Sequence, residues 1–268
     1  MPKAELNGIH IYYEVYGSGE PLLLITGIGG SIMDWPAQIP PLSQRFQVIA
    51  IENRGAGRSD KPQEHSMALY AADCAALLDH LGVSSAHVFG VSMGGMIAQQ
   101  LTLDYPHVVR SLILGCTTPC LVAWPPAATT GEAMAKAFDA ASAWDAFEAT
   151  VWLGYSDRFI AERKDDLWML SKLQIPLMAP PDQWQKQLAA ILDFDVRDRV
   201  GNINAPALLM HGDEDPVVPP QGSLYLAEHV AGAELIMFPG AHHAFNIEFA
   251  DRCNEAVIDF LSVRSPAR

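Results

Sequence analysis

Residues 87–96, His-Val-Phe-Gly-Val-Ser-Met-Gly-Gly-Met, constrain this chain more than any other stretch. Ala86, Val88 and Phe89 are short-strand material, and the run from Met96 to Leu103 has helical spacing. Between them lies Gly90-x-Ser92-x-Gly94. A strand that turns directly into a helix strains the residue at the corner, and side chains two positions to either side would collide. Glycine at 90 and 94 removes those collisions, leaves the Ser92 hydroxyl exposed, and points a helix N-terminus at whatever Ser92 attacks. A five-residue match alone is weak evidence. A strand before it and a helix after it make it specific.

The rest of the chain supplies the setting. Asn7-Gly8 between two strand-like runs predicts a type I′ hairpin joining Ala4–Leu6 to Ile9–Tyr16. Residues 21–26 and 47–52 read as buried strands, a helix is expected from about Met67 to Leu81 with Gly82 ending it, and Ser111–Leu114 forms a further strand. Strands alternating with helices imply an α/β fold: a doubly wound, mostly parallel sheet after the first hairpin. That rhythm stops at Pro119, and up to about Pro181 only helical patterns occur. It resumes with Ala207–Met210 and Glu234–Phe238, and a helix from about Asp251 to Leu261 closes the chain. Residues 119–181 are therefore expected to form a helical cap inserted into a core made of 1–118 and 182–268. Trp144, Trp152 and Trp168 lie in that insertion and are candidates for lining a pocket, although packing the cap onto the body would also occupy them.

A serine hydroxyl becomes a useful nucleophile only when a base takes its proton and a third group holds the base in one tautomer. Among nine histidines, the adjacent pair His242-His243 follows the last strand, where C-terminal strand ends converge. After Ser111–Leu114 the chain reads Gly-Cys-Thr-Thr-Pro, with no carboxylate. After Ala207–Met210 it reads His-Gly-Asp213-Glu214-Asp215-Pro216, so the orienting acid is expected there. Two donors are also needed for a developing oxyanion, each worth on the order of 3 kcal/mol. The backbone N–H of Met93, at the helix start, is one. Within Thr26-Gly27-Ile28-Gly29-Gly30 the glycines allow the N–H of Ile28 to turn inward as the other, with Gly27, Gly29 and Phe245 near the substrate. There is no Gly-Lys-Ser/Thr and no Gly-x-Gly-x-x-Gly opening a helix, which argues against nucleotide binding.

Taken together, the Ser92 turn, Thr26-Gly27-Ile28-Gly29-Gly30, Asn53-Arg54-Gly55-x-Gly57-x-Ser59, Gly212-Asp213-Glu214-Asp215 and Gly240-Ala-His-His resemble the α/β-hydrolase family, in particular its small cap-bearing esterases and enol-lactone hydrolases. The resemblance spans nearly the whole chain. It implies the catalytic set Ser92, Asp215 and His243, with Asp213 and His242 the neighbouring alternatives. Two positions depart from the family pattern: Thr26 replaces a common histidine, and His242 replaces a glycine.

Length and composition bound the rest. At 268 residues, half of them hydrophobic, the chain can hold one α/β domain with an insertion, burying roughly three quarters of its unfolded surface. A formal net charge of −14, spread along the chain, opposes nucleic acids and anionic membranes. The beginning of the chain lacks a secretory apolar run and no stretch reaches the ~18 apolar residues of a membrane span, so the cytoplasm is the expected location. Four cysteines without metal spacing read as buried thiols, a Cys116–Cys120 bridge remaining open. The expectation is a hydrolase without metal or cofactor, acting on a small, neutral, apolar ester or lactone through an acyl-enzyme. A C–C bond hydrolase or perhydrolase would use the same residues, and a hydrolase-like small-ligand sensor is the reading from another class. Oligomeric state is not legible.

Overall fold

A computed structural model describes residues 3–263. Met1 and Pro2, on which the leader reading partly rests, and residues 264–268 lie outside the described range. Eight strands form one sheet: β1 (Lys3–Leu6), β2 (Ile9–Tyr16), β3 (Glu20–Ile25), β4 (Phe46–Ile51), β5 (Ala86–Val91), β6 (Val109–Gly115), β7 (Ala207–Gly212) and β8 (Glu234–Phe238). Their spatial order is β1-β2-β4-β3-β5-β6-β7-β8. The first two strands pair antiparallel with their neighbours and all others run parallel. At the β1–β2 turn Asn7 and Gly8 both have positive φ, 50° and 78°, as a type I′ turn requires.

Ten α-helices accompany the sheet among the described residues: α1 (Ile39–Leu42), α2 (Met67–His80), α3 (Met93–Asp104), α4 (Ala128–Phe138), α5 (Ala143–Gly154), α6 (Asp157–Gln174), α7 (Pro181–Leu192), α8 (Gln221–His229), α9 (Phe245–Glu248) and α10 (Ala250–Ser262). None is long and apolar enough to cross a membrane. The inner strands are covered on both faces. Leu23, Ile25, Ile49, Val88 and Leu112 pack with α2 and α3 on one side. Leu22, Leu24, Val48, Phe89 and Ile113 pack with Trp35, Phe245 and α10 on the other. This explains why those strands read as continuous apolar runs rather than alternating ones.

The sheet order reverses at β3, which lies between β4 and β5. In a doubly wound sheet such a switch point opens a crevice at the C-terminal strand ends, because the following loops diverge to opposite faces. The segment after β3 and Ser92 after β5 both emerge there.

Between β6 and β7 the described chain contains helices and no strand. The two ends of this segment meet in a short antiparallel bridge between Cys120 and Asp195, where the Val196 N–H donates to Pro119 O at 3.0 Å. Helix α7 thus stands inside the neck, and the expected boundary at 181 falls on its first residue. All four cysteines are free and buried.

Candidate active site

Ser92 forms the corner between β5 and α3 with φ 55° and ψ −123°, a conformation that costs a non-glycine residue on the order of 1–3 kcal/mol. A Cβ on Gly90 would overlap the Gly94 carbonyl, and one on Gly94 would overlap the Ile25 carbonyl. The glycines are thus demanded by backbone contact. The corner is held from β6: the Ser92 N–H donates to Gly115 O at 2.9 Å, and Thr117 Oγ1 donates to Ser92 O at 2.8 Å. Across the strand pair, Cys116 is also left-handed, with φ 39°.

The loop after β3 closes over this corner. A Cβ on Gly27 would stand 3.2 Å from Ser92 Cβ, so the loop backbone lies against the serine. Gly29 packs under Trp184, whose Cδ1 would be 2.9 Å from a Cβ there. The N–H groups of Ile28 and Met93 have no partner among the described residues. Those of Gly29 and Gly30 are taken, by Gln187 Oε1 at 2.7 Å and Gly27 O at 3.3 Å. Asn53 Nδ2 donates to the carbonyl of buried Thr26 at 3.1 Å, tying the loop to the end of β4.

Asp215, three residues beyond β7, has a fully buried carboxylate. Its Oδ1 accepts from the N–H groups of Val217 and Val218 at 2.8 and 3.0 Å, and its Oδ2 lies 2.7 Å from His243 Nδ1 and 3.2 Å from His211 Nε2. Burial alone would raise its pKa, but the His243 charge and the hydrogen bonds from both histidines hold it far below the usual carboxylate range. For His243, burial alone would lower the pKa. The Asp215 charge and the nearby Cys116 sulfur outweigh burial and hold it well above 6.5. Of the two adjacent histidines, His243 is the one against Asp215. His242 turns its Nδ1 to the Trp152 carbonyl. Asp213 accepts from the Gly240 N–H at 2.7 Å and so braces the histidine loop from outside.

The remaining candidates separate. Trp152 reaches the histidine loop through its carbonyl. Trp144 lies eight residues earlier on α5, about 12 Å along the helix. It packs edge-on against Trp168 at 4.9 Å between ring centres, with Phe147 completing the cluster. These rings pack α5 on α6. Phe245 is fully buried against Phe238 and beneath Gly115, a core position.

Several neighbours of the site were not singled out in the sequence. Helix α7 contributes Gln187, fully buried, which accepts from Gly29 and donates to Arg54 O at 3.1 Å. Next to it, Gln183 meets His65 at 3.1 Å. Glutamines on an amphipathic helix look like its solvated face, and only their burial shows otherwise. The C-terminus of α5 is also unanticipated: Leu153 O and Gly154 O accept the N–H groups of His243 and Ala244 at 3.3 and 2.8 Å.

Cys116, Asp215 and His243 offer ligand-type atoms within 4.8 Å of one another. However, Nδ1 and Oδ2 at 2.7 Å are closer than the roughly 3.3 Å between two ligands on a tetrahedral zinc, so these two atoms are committed to each other by a hydrogen bond.

Comparison with known proteins agrees with this architecture. The chain belongs to the α/β-hydrolase fold family, whose model matches residues 20–250. It is 33% identical to the "Putative carbamate hydrolase RutD" of Azorhizobium caulinodans, over 97% of this chain and 98% of that one. Among solved structures, an N-acyl homoserine lactone degrading enzyme is 31% identical, covers 97% of this chain and 100% of its own, and superposes with a TM-score of 0.84. The enol-lactonase of Burkholderia xenovorans LB400, at 24% identity over 97% and 100% of the two chains, shares the fold with a TM-score of 0.85. The chain is a hydrolase of this family.

Proposed function

We propose that this hydrolase cleaves carboxylic esters or lactones through an acyl-enzyme on Ser92, with His243 as base and Asp215 as its orienting acid. The observation that carries the reading is the 2.7 Å contact between His243 Nδ1 and Asp215 Oδ2, with Cys116, which follows the Gly115 that accepts the Ser92 N–H, offering its sulfur within 4.8 Å of both. With Nδ1 committed to Asp215, Nε2 is the nitrogen free to take the serine proton as Oγ attacks the carbonyl carbon. The unpartnered N–H groups of Ile28 and Met93 would receive the developing oxyanion. Collapse expels the alcohol with the proton from His243, and water then cleaves the acyl-enzyme by the same route in reverse. The helices between β6 and β7 serve in this reading as a cap over the crevice.

The relative that degrades N-acyl homoserine lactones supports a lactone or ester bond. A carbamate carbonyl would be attacked in the same way, a second reading favoured by the RutD relative. The charge of −14 favours neutral over anionic substrates. The test is turnover of p-nitrophenyl and cyclic esters by wild type and Ser92→Ala. Loss of turnover in the variant, with organophosphonate labelling of wild type at Ser92 alone, is expected. Undiminished turnover by Ser92→Ala overturns the assignment, and a single turnover with retained product points instead to a sensor.

A further inference from the structure

Asp215 touches a second histidine that the steps above leave unused. His211, the fifth residue of β7, is fully buried. Its strand is otherwise apolar before it, with Ala207, Leu208, Leu209 and Met210 all buried, and an imidazole is costlier to bury there than another hydrocarbon unless its nitrogens find partners. Both do. Nε2 lies 2.8 Å from the Val218 carbonyl and 3.2 Å from Asp215 Oδ2. A carbonyl and a carboxylate can only accept, so Nε2 carries a hydrogen directed between them. On the other edge of the ring, Nδ1 meets the Ser223 hydroxyl of α8 at 2.7 Å, and that hydroxyl also reaches Thr117 O at 3.0 Å. Thr117 is the residue whose Oγ1 donates to Ser92 O.

His211, Ser223 and Thr117 are all fully buried. A polar chain sealed from water thus runs from the acid, through β7 and α8, to the nucleophile corner. The acid loop also closes around the His211 ring. Val218 accepts from Nε2 with its carbonyl and donates its N–H to Asp215 Oδ1 at 3.0 Å. His211 therefore acts on both carboxylate oxygens, on Oδ1 through Val218 and on Oδ2 directly. Asp215 is the charged group against His211, while Asp215 and the Cys116 sulfur are those against His243.

We infer that His211 is a positioning residue for the reaction: its Nε2–H shares Asp215 Oδ2 with His243 and, through Val218, fixes the edge that the acid presents to the base. The inference rests on the acyl-enzyme reading and goes beyond it by giving the acid a second imidazole partner. Oδ2 stands 2.7 Å from one ring and 3.2 Å from the other, so His211 moderates the negative charge that His243 feels.

The test compares His211→Gln and His211→Leu with wild type in kcat, KM and the acid limb of the pH–rate profile for a p-nitrophenyl ester. A glutamine amide can place an N–H where Nε2 stands, and leucine cannot. In His211→Leu the charge of Asp215 falls more fully on His243, and the acid-limb midpoint should rise by about half a pH unit or more. There kcat should fall by about tenfold or more with KM nearly unchanged, because His211 reaches the substrate only through Asp215 and His243. His211→Gln should restore the wild-type midpoint and most of kcat. A ring that only fills space would leave the midpoint in place. An unmoved midpoint in His211→Leu therefore overturns the proposal, as does an equal shift in His211→Gln. Should the leucine variant fail to fold, nitrogen-15 imidazole spectra decide. His211 Nε2 should carry a hydrogen whose resonance moves in Asp215→Asn, and a bare Nε2, or a resonance indifferent to that change, overturns the proposal. Undiminished turnover in Ser92→Ala removes the acyl-enzyme reading and this proposal with it. Turnover that needs Ser92, with an unmoved midpoint in His211→Leu, removes the proposal alone.

Discussion

Asp215 Oδ2 stands 2.7 Å from Nδ1 of His243, and that one contact decides which imidazole nitrogen faces the serine. It is reinforced from behind, because the other carboxylate oxygen is pinned by two backbone N–H groups and His211 lies against the first. Asp215→Asn presents an amide that can turn its NH2 toward Nδ1 and favour the wrong tautomer. Ester turnover should fall by roughly 10³–10⁴-fold. Asp213→Asn should cost far less, since the Asp213 side chain accepts only from the Gly240 N–H among the described residues. If Asp213→Asn proves the more damaging, the acid has been assigned to the wrong residue.

The same contact sets the pH response. His243 must be neutral to act as base, and Asp215 raises its pKa above the ordinary value of about 6.5. Activity should therefore fall on the acid side with a midpoint above 6.5, higher than the residue type alone suggests, and a profile flat to pH 5 would exclude a histidine base. Stability runs the other way. A raised histidine contributes fully below its unfolded pKa and loses that contribution as pH rises through its folded one. A depressed aspartate contributes above its unfolded pKa and loses it as pH falls. The pair thus stabilises most between about 4 and 6.5. The Tm difference between wild type and His243→Gln should be largest in that window, where activity is already declining.

Gln187 links α7 to the loop beside Ser92. Gln187→Leu strands the Gly29 N–H and the Arg54 carbonyl, both of which it now satisfies. Each stranded group costs roughly 1–3 kcal/mol. Urea unfolding should register that loss. Because Gly29 neighbours the Ile28 N–H, kcat should fall by about tenfold or more with a smaller change in KM. Unchanged kcat would mean the loop holds its shape without α7.

Asp34 makes a prediction about stability, because burial outweighs the hydrogen bonds it accepts from the Ser31 N–H and Gln174 of α6. Its folded pKa of about 6 lies above the ordinary carboxyl value, so wild type loses stability as pH rises from about 4 through 6. The shift of about two units corresponds to at most about 3 kcal/mol, less to the extent that water reaches the group. Relative to Asp34→Asn, wild type should lose about 1–3 kcal/mol between pH 4 and pH 7 in paired denaturation curves. Parallel curves would show that the carboxylate is better solvated than its surroundings imply.

Much of the molecule was legible in the chain, and the reasons are local. Gly90 and Gly94 announce the Ser92 corner because backbone contact forbids any Cβ there, a demand written in two residues. Asn7-Gly8 announces its turn because only such residues adopt two successive positive φ angles cheaply. Apolar runs announced strands covered on both faces. The tryptophans were ambiguous in the sequence, since an aromatic side chain serves equally well in a pocket wall or between helices. In the fold, Trp144 and Trp168 pack against each other between α5 and α6.

What the sequence by itself determined, then, is the order of strands and helices, the corner at Ser92, and the loops that would carry an acid and a base. Those follow from short-range sterics and from hydrophobic periodicity, which each segment expresses alone. Tertiary structure decided which of Asp213 and Asp215 meets which of His242 and His243. It also buried Gln187 against Gly29 and tied Asp34 to Gln174 of α6. Such choices depend on where loops converge, from the 28 residues between Asp215 and His243 to the 158 between Gly29 and Gln187, and on how much water that convergence leaves behind. Neither quantity belongs to any one segment.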